Sequence, residues 1–470
     1  MSDLIRNTKI VVTFGPAIAD PETAKAVLFA GADIIRLNLS HGNHELHAQN
    51  IQLVRELSKK YSLPVGILLD LQGPKIRTGL LKDGKGMSLK EGETLKITIE
   101  EIRGDNGIIS TSYKNLPSDI QPGNRILLDD GSIELKVVKI EREDIYCEVI
   151  VGGMLGEHKG MNFPDAAIRL PSLTEKDERD LKFGLEQGID YIALSFVRES
   201  EDIIHLRKYM KELGYTLPII AKIETPQAVE NIDKILHKVE GVMVARGDLG
   251  VEMSLQSVPV AQKMIVKKAN QQYRLVIVAT QMLDSMIRNP FPTRAEVSDV
   301  ANAIFDGADA VMLSGETSIG KYPLEAIKTM SSVAFTAEES MEETYKHQEV
   351  SSANAIATSA CYLAKQIVAK AIVVYTVSGT TALYISKQRP KERIIALTPH
   401  EKVYHQMSLY WNVTPLIMQL GKGTEEMLKE GERVILENNL LEKGDCVIVV
   451  AGTSFTRGAA NMIKIHCVGD

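Results

Sequence analysis

Short runs of aliphatic and β-branched residues recur along the first two thirds of the chain. Each is followed by a stretch with the spacing of an amphipathic helix. The runs are KIVVTFG (9–15), DIIRLNLS (33–40), VGILLDLQG (65–73), YIALSF (191–196), PIIAKIE (218–224), GVMVARGDL (241–249), LVIVATQML (275–283) and AVMLSGE (310–316). Continuous apolar runs of this kind suit strands buried on both faces of a parallel sheet. Helical stretches between them include TEKDERDLKFGLEQ (174–187) and TRAEVSDVANAIF (293–305). Three runs share a lead-in, GADII (31–35), GIDYI (188–192) and GADAV (307–311), which suggests one repeated unit. Eight strands with intervening helices predict a (β/α)8 TIM barrel. An open doubly wound sheet is the alternative, but no G-x-G-x-x-G follows the first run.

Between the third run and the helix at 174 the texture changes. SLKEGETLKITIEE (88–101), NRILLDDGSIELKVVKIERED (124–144) and IYCEVIVGG (145–153) alternate with period two and are punctuated by Gly and Asp. That pattern predicts antiparallel β structure. Residues 76–169 are expected to form a small β-barrel domain inserted into a loop of the large barrel, where it can act as a lid. The large barrel then takes 1–75 plus 170–344. Beyond 345 the rhythm resumes in AIVVYTVSG (371–379), RIIALTP (393–399), TPLIMQL (414–420), DCVIVVAG (445–452) and MIKIHCVG (462–469). Residues 345–470 are expected to be a separate open α/β domain.

Composition narrows the function. The 470 residues are 44% hydrophobic, enough for a large core, and carry a formal charge of -7. No apolar run reaches the roughly 18 residues a bilayer demands, and the start, MSDLIRNTKIVVTFG, lacks the pattern of a signal peptide. Cys147, Cys361, Cys446 and Cys467 are scattered, with no C-x-x-C. The expectation is a reducing cytoplasm without disulfides or a zinc knuckle. Mild acidity gives no electrostatic reason to expect nucleic acid, and no membrane partner is expected. An anionic ligand has to be held by local positive charge.

Reactive groups of such barrels sit at the C-terminal ends of the strands. Here those ends carry Arg36, Asn38, Ser40 and His41; Asp70, Gln72, Lys75 and Arg77; Ser195 and Phe196; Lys222 and Glu224; Arg246, Gly247 and Asp248; Thr280 and Gln281; Ser314 and Glu316. Every run that is apolar at its start turns polar at its end. Lys222 and Glu224, two apart in a strand, point to one side. Either they form a structural ion pair or both face a ligand. Glu224 and Asp248 are hard oxygen ligands on neighbouring strands and suit Mg²⁺ or Mn²⁺. With Lys222, Arg36, Lys75 and Arg77 nearby, the set is suited to a phosphoryl group, whose transfer depends on positioning and charge stabilisation. Gly247 allows backbone N–H groups close approach to an anion. Buried ion pairs are weak devices for stability, so a whole ring of them wants another reason.

The motifs RLNLSHG (36–42), LLDLQGPKIRTG (68–79), IIAKIET (219–225), VMVARGDLGVE (242–252), ATQMLDSMIRNPFPTRAEVSDVANAI (279–304) and GADAVMLSGETSIGKYP (307–323) resemble the pyruvate kinase family. LLDDG (127–131) and HKGMNFP (158–164) extend the resemblance into the inserted segment, and the terminal domain is similar in order and size. The resemblance implies a glycolytic enzyme that moves the phosphoryl group of phosphoenolpyruvate to ADP, with two divalent ions per active site. It places the first ion on Glu224 and Asp248 and the second with the nucleotide. It gives Lys222 the phosphoryl charge, Arg36 the phosphate, and Thr280 with the Gly247–Asp248 backbone the substrate carboxylate. Ser195 joins the substrate set. Thr280, Ser314 and Glu316 become candidates for a relay protonating the enolate, and Asn38, Ser40, His41, Arg77 and Lys159 match nucleotide-phosphate positions.

Many family members need K⁺ and have Glu where this chain has Lys75. The resemblance leaves Asn38, Ser40, Asp70 and Leu71 as a vestigial K⁺ pocket, with the Lys75 ammonium as surrogate and turnover without K⁺ expected. Ser378, Gly379, Thr380 and Thr381, which follow a strand and open a helix, match the family's effector site for a sugar phosphate or a nucleotide such as AMP. A loop at 451–461 would close that site. A homotetramer is implied. A Mg²⁺-dependent aldolase or lyase acting on a pyruvate enolate and a catalytically dead metabolite-binding scaffold are the rival readings.

Overall fold

Eight parallel strands, Lys9–Thr13, Ile34–Asn38, Gly66–Asp70, Tyr191–Leu194, Ile219–Ile223, Gly241–Ala245, Leu275–Ala279 and Ala310–Leu313, close into a barrel in sequence order. The last pairs with the first in the register Lys9↔Ala310. Every strand lies inside one of the apolar runs and stops where that run turns polar. The computed structural model describes residues 6–166, 168, 170–341, 352–419, 423–452 and 460–469. The two quoted helices form at Glu175–Glu186 and Arg294–Asp306, and reciprocal capping boxes, Thr174 with Asp177 and Thr293 with Glu296, start them. Such boxes satisfy two orphan N–H donors at once. The second helix stops at Gly307, whose φ of 99° carries the left-handed turn.

Between the third and fourth barrel strands the inserted segment has its own apolar core, including Leu95, Ile97, Ile126, Leu135, Ile145 and Val149. Its strands make a six-stranded sheet, in the order Met161–Asn162, Arg125–Leu128, Ile133–Glu141, Asp144–Val151, Thr94–Thr98, Ile108–Ser110. A two-stranded sheet pairs Gly153–Leu155 with Met87–Leu89. One pair departs from the antiparallel expectation: Thr94–Thr98 and Ile108–Ser110 run parallel. The connection between them doubles back over residues 80–82. The Gly104 N–H donates to the Leu80 carbonyl (2.8 Å) and the Lys82 N–H to the Gly104 carbonyl (3.0 Å), so the chain re-enters the sheet in its original direction.

The C-terminal sheet has the order Val413–Ile417, Arg393–Thr398, Ala371–Tyr375, Cys446–Gly452, Ala460–Cys467, parallel except for the last strand. It seats against the N-terminal face of the barrel, where the Lys9 ammonium donates to the Val413 carbonyl (2.9 Å) and the Tyr191 hydroxyl to the Gln406 carbonyl (2.6 Å). Apolar side chains inside the barrel are continuous with the core of this domain.

The shared lead-ins acquire a meaning at that face. Asp33, Asp190 and Asp309 immediately precede strands two, four and eight, and Glu240 precedes strand six. Each accepts a hydrogen bond from a backbone N–H at the start of the preceding strand: Ile10 (2.8 Å), Ile67 (2.7 Å), Val276 (2.7 Å) and, for Glu240, Ile219 (2.9 Å). Each also pairs with an arginine: Arg6, Arg55, Arg389 and Arg207, in the same order. A four-fold ring of carboxylate clamps therefore closes the base of the barrel.

Candidate active site

At the opposite rim the polar strand ends converge. The fifth strand ends at Ile223; Lys222 precedes that end and Glu224 follows it, and their charged atoms meet at 2.9 Å. Asp70, the last residue of the third strand, reaches the same ammonium at 3.3 Å. Ser195 accepts from it at 2.8 Å and donates to the Leu71 carbonyl at 2.7 Å. The Arg36 guanidinium donates to the other Asp70 oxygen at 2.7 Å and to the Thr13 hydroxyl at 3.0 Å. The i, i+2 geometry of Lys222 and Glu224 thus yields a pair, and the barrel brings a second carboxylate to the same nitrogen.

Burial by itself would drive Lys222 toward the neutral amine, but Asp70 and Glu224 outweigh it and hold the ammonium well above its ordinary value. Burial likewise raises Asp70, and the charges of Lys222 and Arg36 overcome it and leave that carboxyl below its ordinary value. Glu224 goes the other way. Burial raises it, Lys222 lowers it, Asp248 raises it again, and the net shift is upward. Its second oxygen accepts from the Phe196 N–H at 2.7 Å. Two cations, Arg36 and Lys222, face three carboxylates, Asp70, Glu224 and Asp248, so the cluster keeps one negative charge in excess.

Asp248 lies in the helix Arg246–Glu252, which begins directly where the sixth strand stops, rather than at the end of an extended run. Among the described residues its carboxylate makes no hydrogen bond or ion pair. Gly247 is required by the seventh strand: a Cβ there would lie 2.7 Å from Thr280 Cγ2. Thr280 and Gln281 have φ of 75° and 55°, and Phe196 has φ of 52°. Left-handed backbone is costly for such residues and gathers where the surroundings over-determine it. Arg246 supplies part of that constraint. It donates to the Ala279 carbonyl (3.2 Å) and the Thr280 carbonyl (2.8 Å) and is anchored to Asp299 (2.7 Å). Sequence reasoning placed Arg246 on the rim without a role and missed Asp299; the recurrence of both within the quoted motifs was the available signal.

Ser314 and Glu316 stand at the end of the eighth strand, but Glu316 is buried with both oxygens engaged, by the Leu283 N–H (3.0 Å) and the Ser314 N–H (2.7 Å). Asn38 accepts from the Ser40 N–H at 3.1 Å and shapes the rim loop; His41 is exposed. Arg77 and Lys159 sit on the inserted segment's side instead. Arg77 donates to the His158 carbonyl at 3.1 Å and Lys159 pairs with Asp129 at 2.8 Å. Lys75 also turns to that side. Its Cε passes within 3.4 Å of where a Gly160 Cβ would be, and it lines a cavity with Phe196, Thr225 and Glu252. Among the described residues no ion pair joins its ammonium to Asp70 or any other group. Asp177, also overlooked, holds the turn before it by accepting from the Gly73 N–H at 3.1 Å. The inserted segment is tied to the barrel by Asn162 to Glu252 (2.7 Å) and by Arg198 to the Ile168 carbonyl (2.6 Å).

In the C-terminal domain, Gly379 (φ 77°) precedes the helix Thr380–Lys387, the Ser378 and Thr380 hydroxyls are bonded at 2.9 Å, and Thr381 is half-buried beside them. Residues 453–459 of the expected closing loop lie outside the described residues.

The pyruvate kinase barrel-domain model matches residues 5–327, and the pyruvate kinase alpha/beta-domain model matches residues 354–466. The chain belongs to the pyruvate kinase family. Pyruvate kinases of Corynebacterium glutamicum and Clostridium perfringens are each 44% identical to it; the matches cover 99% and 98% of this chain and 98% and 100% of the relatives. The crystal structure of a pyruvate kinase from Cryptosporidium parvum superposes with a TM-score of 0.93 at 38% identity, covering 98% of this chain and 96% of that one. Relatives this similar over the full length make the chain an enzyme of the pyruvate kinase family, which implies a divalent metal. The rim fits one. Asp248 raises the cost of ionising Glu224, the cluster carries excess negative charge, and among the described residues Asp248 has no hydrogen-bond or ion-pair partner. Two carboxylates would leave the remaining positions to substrate oxygens and water. Among the described residues no helix is long and apolar enough to cross a membrane.

Proposed function

We propose that the protein transfers the phosphoryl group of phosphoenolpyruvate to ADP, giving pyruvate and ATP, in the glycolytic direction. The observation that carries this reading is the Lys222 ammonium, held charged between Asp70 and Glu224 with the Asp248 carboxylate nearby. Glu224 and Asp248 would hold Mg²⁺ or Mn²⁺, which when bound supplies positive charge beside the reacting oxygens; a second ion accompanies the nucleotide. Lys222 stabilises negative charge on the phosphoryl group in transfer. Ser195 and Asp70 fix its position. Arg36 spends two donors on Asp70 and Thr13 and turns the rest to the phosphate. The Thr280 hydroxyl and the backbone at Gly247–Asp248 hold the substrate carboxylate, with the Thr280 turn kept in place by Arg246.

Cleavage of the P–O bond leaves an enolate, whose carbon takes a proton. Thr280 or Ser314 passes it through water. Glu316 belongs to this set by holding the Ser314 backbone, since both its oxygens are committed. Asn38, Ser40 and His41 from the rim and Arg77 and Lys159 from the inserted segment bind the nucleotide phosphates. That requires the half-exposed Lys159–Asp129 pair to open, a modest cost for a solvent-accessible ion pair. Lys75, which makes no ion pair among the described residues, replaces K⁺ beside Asn38, Ser40, Asp70 and Leu71 once substrates draw the inserted segment in.

The same reading takes 1–75 plus 170–344 as the catalytic barrel, 76–169 as the lid and 345–470 as a domain that binds an effector at Ser378–Thr381. It describes a cytoplasmic homotetramer. A coupled assay for pyruvate tests the central claim. Formation must need ADP and stop when the divalent ion is chelated; release of pyruvate without ADP would overturn it in favour of a lyase.

A further inference from the structure

Cys446 opens the strand Cys446–Gly452 of the C-terminal sheet, and Cys467 closes the antiparallel strand Ala460–Cys467 at the sheet's edge. The two stand directly opposite each other in the register Cys446↔Cys467. The backbone around them fixes the kind of rung. The Cys446 carbonyl accepts from the Lys370 N–H (2.8 Å), so it faces the neighbouring parallel strand Ala371–Tyr375 and not Cys467. The hydrogen bond falls on the next rung outward, from the Val468 N–H to the Asp445 carbonyl (2.9 Å). Cys446 and Cys467 therefore form a non-hydrogen-bonded pair, the closer of the two antiparallel kinds, with Cα atoms about 4.5 Å apart. A disulfide spans about 4.4–6.8 Å between Cα atoms, and opposed residues send their side chains to one face of the sheet. Both thiols are half-buried, whereas Cys147 and Cys361 are fully buried. Burial pushes those two thiols far above their ordinary range and keeps them from the thiolate form that exchange requires. The cysteines look scattered in the chain because no C-x-x-C joins any of them; closure of the sheet sets these two side by side.

We propose that Cys446 and Cys467 form a reversible dithiol–disulfide site, oxidised by a small disulfide of the glutathione type, whose closure fastens the edge strand to its neighbour. The thiolate of one cysteine attacks a sulfur of the small disulfide. The S–S bond of that disulfide breaks, a mixed disulfide forms and one small thiol leaves. The second cysteine, as its thiolate, attacks the protein sulfur of the mixed disulfide and expels the other small thiol. The pair loses two electrons and two protons, and the small disulfide gains both. The rung already holds the two side chains together, so the second step needs no rearrangement of the sheet. An edge strand is hydrogen-bonded on one side only, and a covalent rung at its end holds more there than it would between central strands. Half-exposed disulfides of this kind are readily reduced and act as switches, which suits the cytoplasmic setting proposed above.

Incubation of the full chain with oxidised glutathione under native conditions, followed by alkylation, digestion and mass spectrometry, tests this. A linked Cys446–Cys467 peptide pair is expected, reversed by dithiothreitol and absent from Cys446→Ser and from Cys467→Ser, with Cys147 and Cys361 still reduced. Hydrogen exchange of the amides at 462–468 is expected to slow about tenfold or more in the oxidised protein. No link, glutathionylation of either cysteine that goes no further, a bond that joins two chains, or a link formed only in denaturant overturns the proposal. A bond within one chain that leaves exchange at 462–468 unchanged overturns the claim that it fastens the strand.

Discussion

The two ends of the barrel bury similar charges and use them differently. At the base, each acidic residue preceding an even-numbered strand accepts from a neighbouring backbone N–H and from an arginine. Asp309 shows the limit: fully buried, it receives the Val276 N–H, Arg389 and Lys387. At the rim, Lys222 is shared by two carboxylates, and among the described residues Asp248 finds no hydrogen-bond or ion-pair partner. The four carboxylate clamps of the base are saturated, and the rim cluster keeps one negative charge in excess. Saturation locks domains together; on the proposed reading, a divalent metal would offset the excess at the rim.

The contrast is most exposed to test at Lys222. Lys222→Met is expected to lower kcat by about 10³-fold or more, the order seen when a preorganised charge-stabilising donor is removed, while phosphoenolpyruvate still binds. Retention of most of the turnover would reduce the rim to a structural ion pair like those below it. The matching change at the base is Asp309→Asn, which leaves Lys387 and Arg389 without their shared carboxylate. It is expected to destabilise the fold by about 3–5 kcal/mol, read by denaturant titration, with kcat per folded molecule unchanged. A fall in kcat without a fall in stability would erase the distinction between the two ends.

His405, buried at the base, supplies a pH test. Burial, aided by the charge of Arg55, pushes its imidazole from 6.5 down to about 4. The unfolded chain therefore binds more protons than the folded one between those values. Stability from this group is complete above pH 6.5 and is lost as pH falls toward 4, by roughly 3 kcal/mol in all. His405→Leu should flatten that acid limb, and an unchanged slope would remove His405 as its cause. The smallest expected effect concerns Lys75. Initial rates in tetramethylammonium chloride should nearly equal those in KCl, whereas a large loss without K⁺ would show that the free ammonium does not stand in for the ion.

Much of this was legible in the chain. The apolar runs located all eight barrel strands because a strand buried on both faces has little freedom in composition. Their polar ends located the rim because a parallel barrel points every strand the same way. Lys222 and Glu224 could be paired from spacing alone. The partner Asp70 could not, since it meets Lys222 only when the third and fifth strands curve to one mouth. Glu316 looked like its neighbours, and only its contacts with Leu283 and Ser314 show a brace. Arg246 and Asp299 needed the strained Thr280 turn to acquire a purpose. Lys75 read as part of the rim, yet its side chain follows the inserted segment.

The repeated lead-ins before strands two, four and eight divide the two kinds of information most plainly. Local patterning determined that these strands exist, where they start, and which ends carry reactive groups, because burial and hydrogen bonding constrain each segment independently of the others. Which carboxylate is quenched by an arginine and which is left for a metal was decided by closure of the barrel and docking of the C-terminal domain. Electrostatic partners are set by distance in space, and residues far apart in the chain become neighbours only in the finished fold.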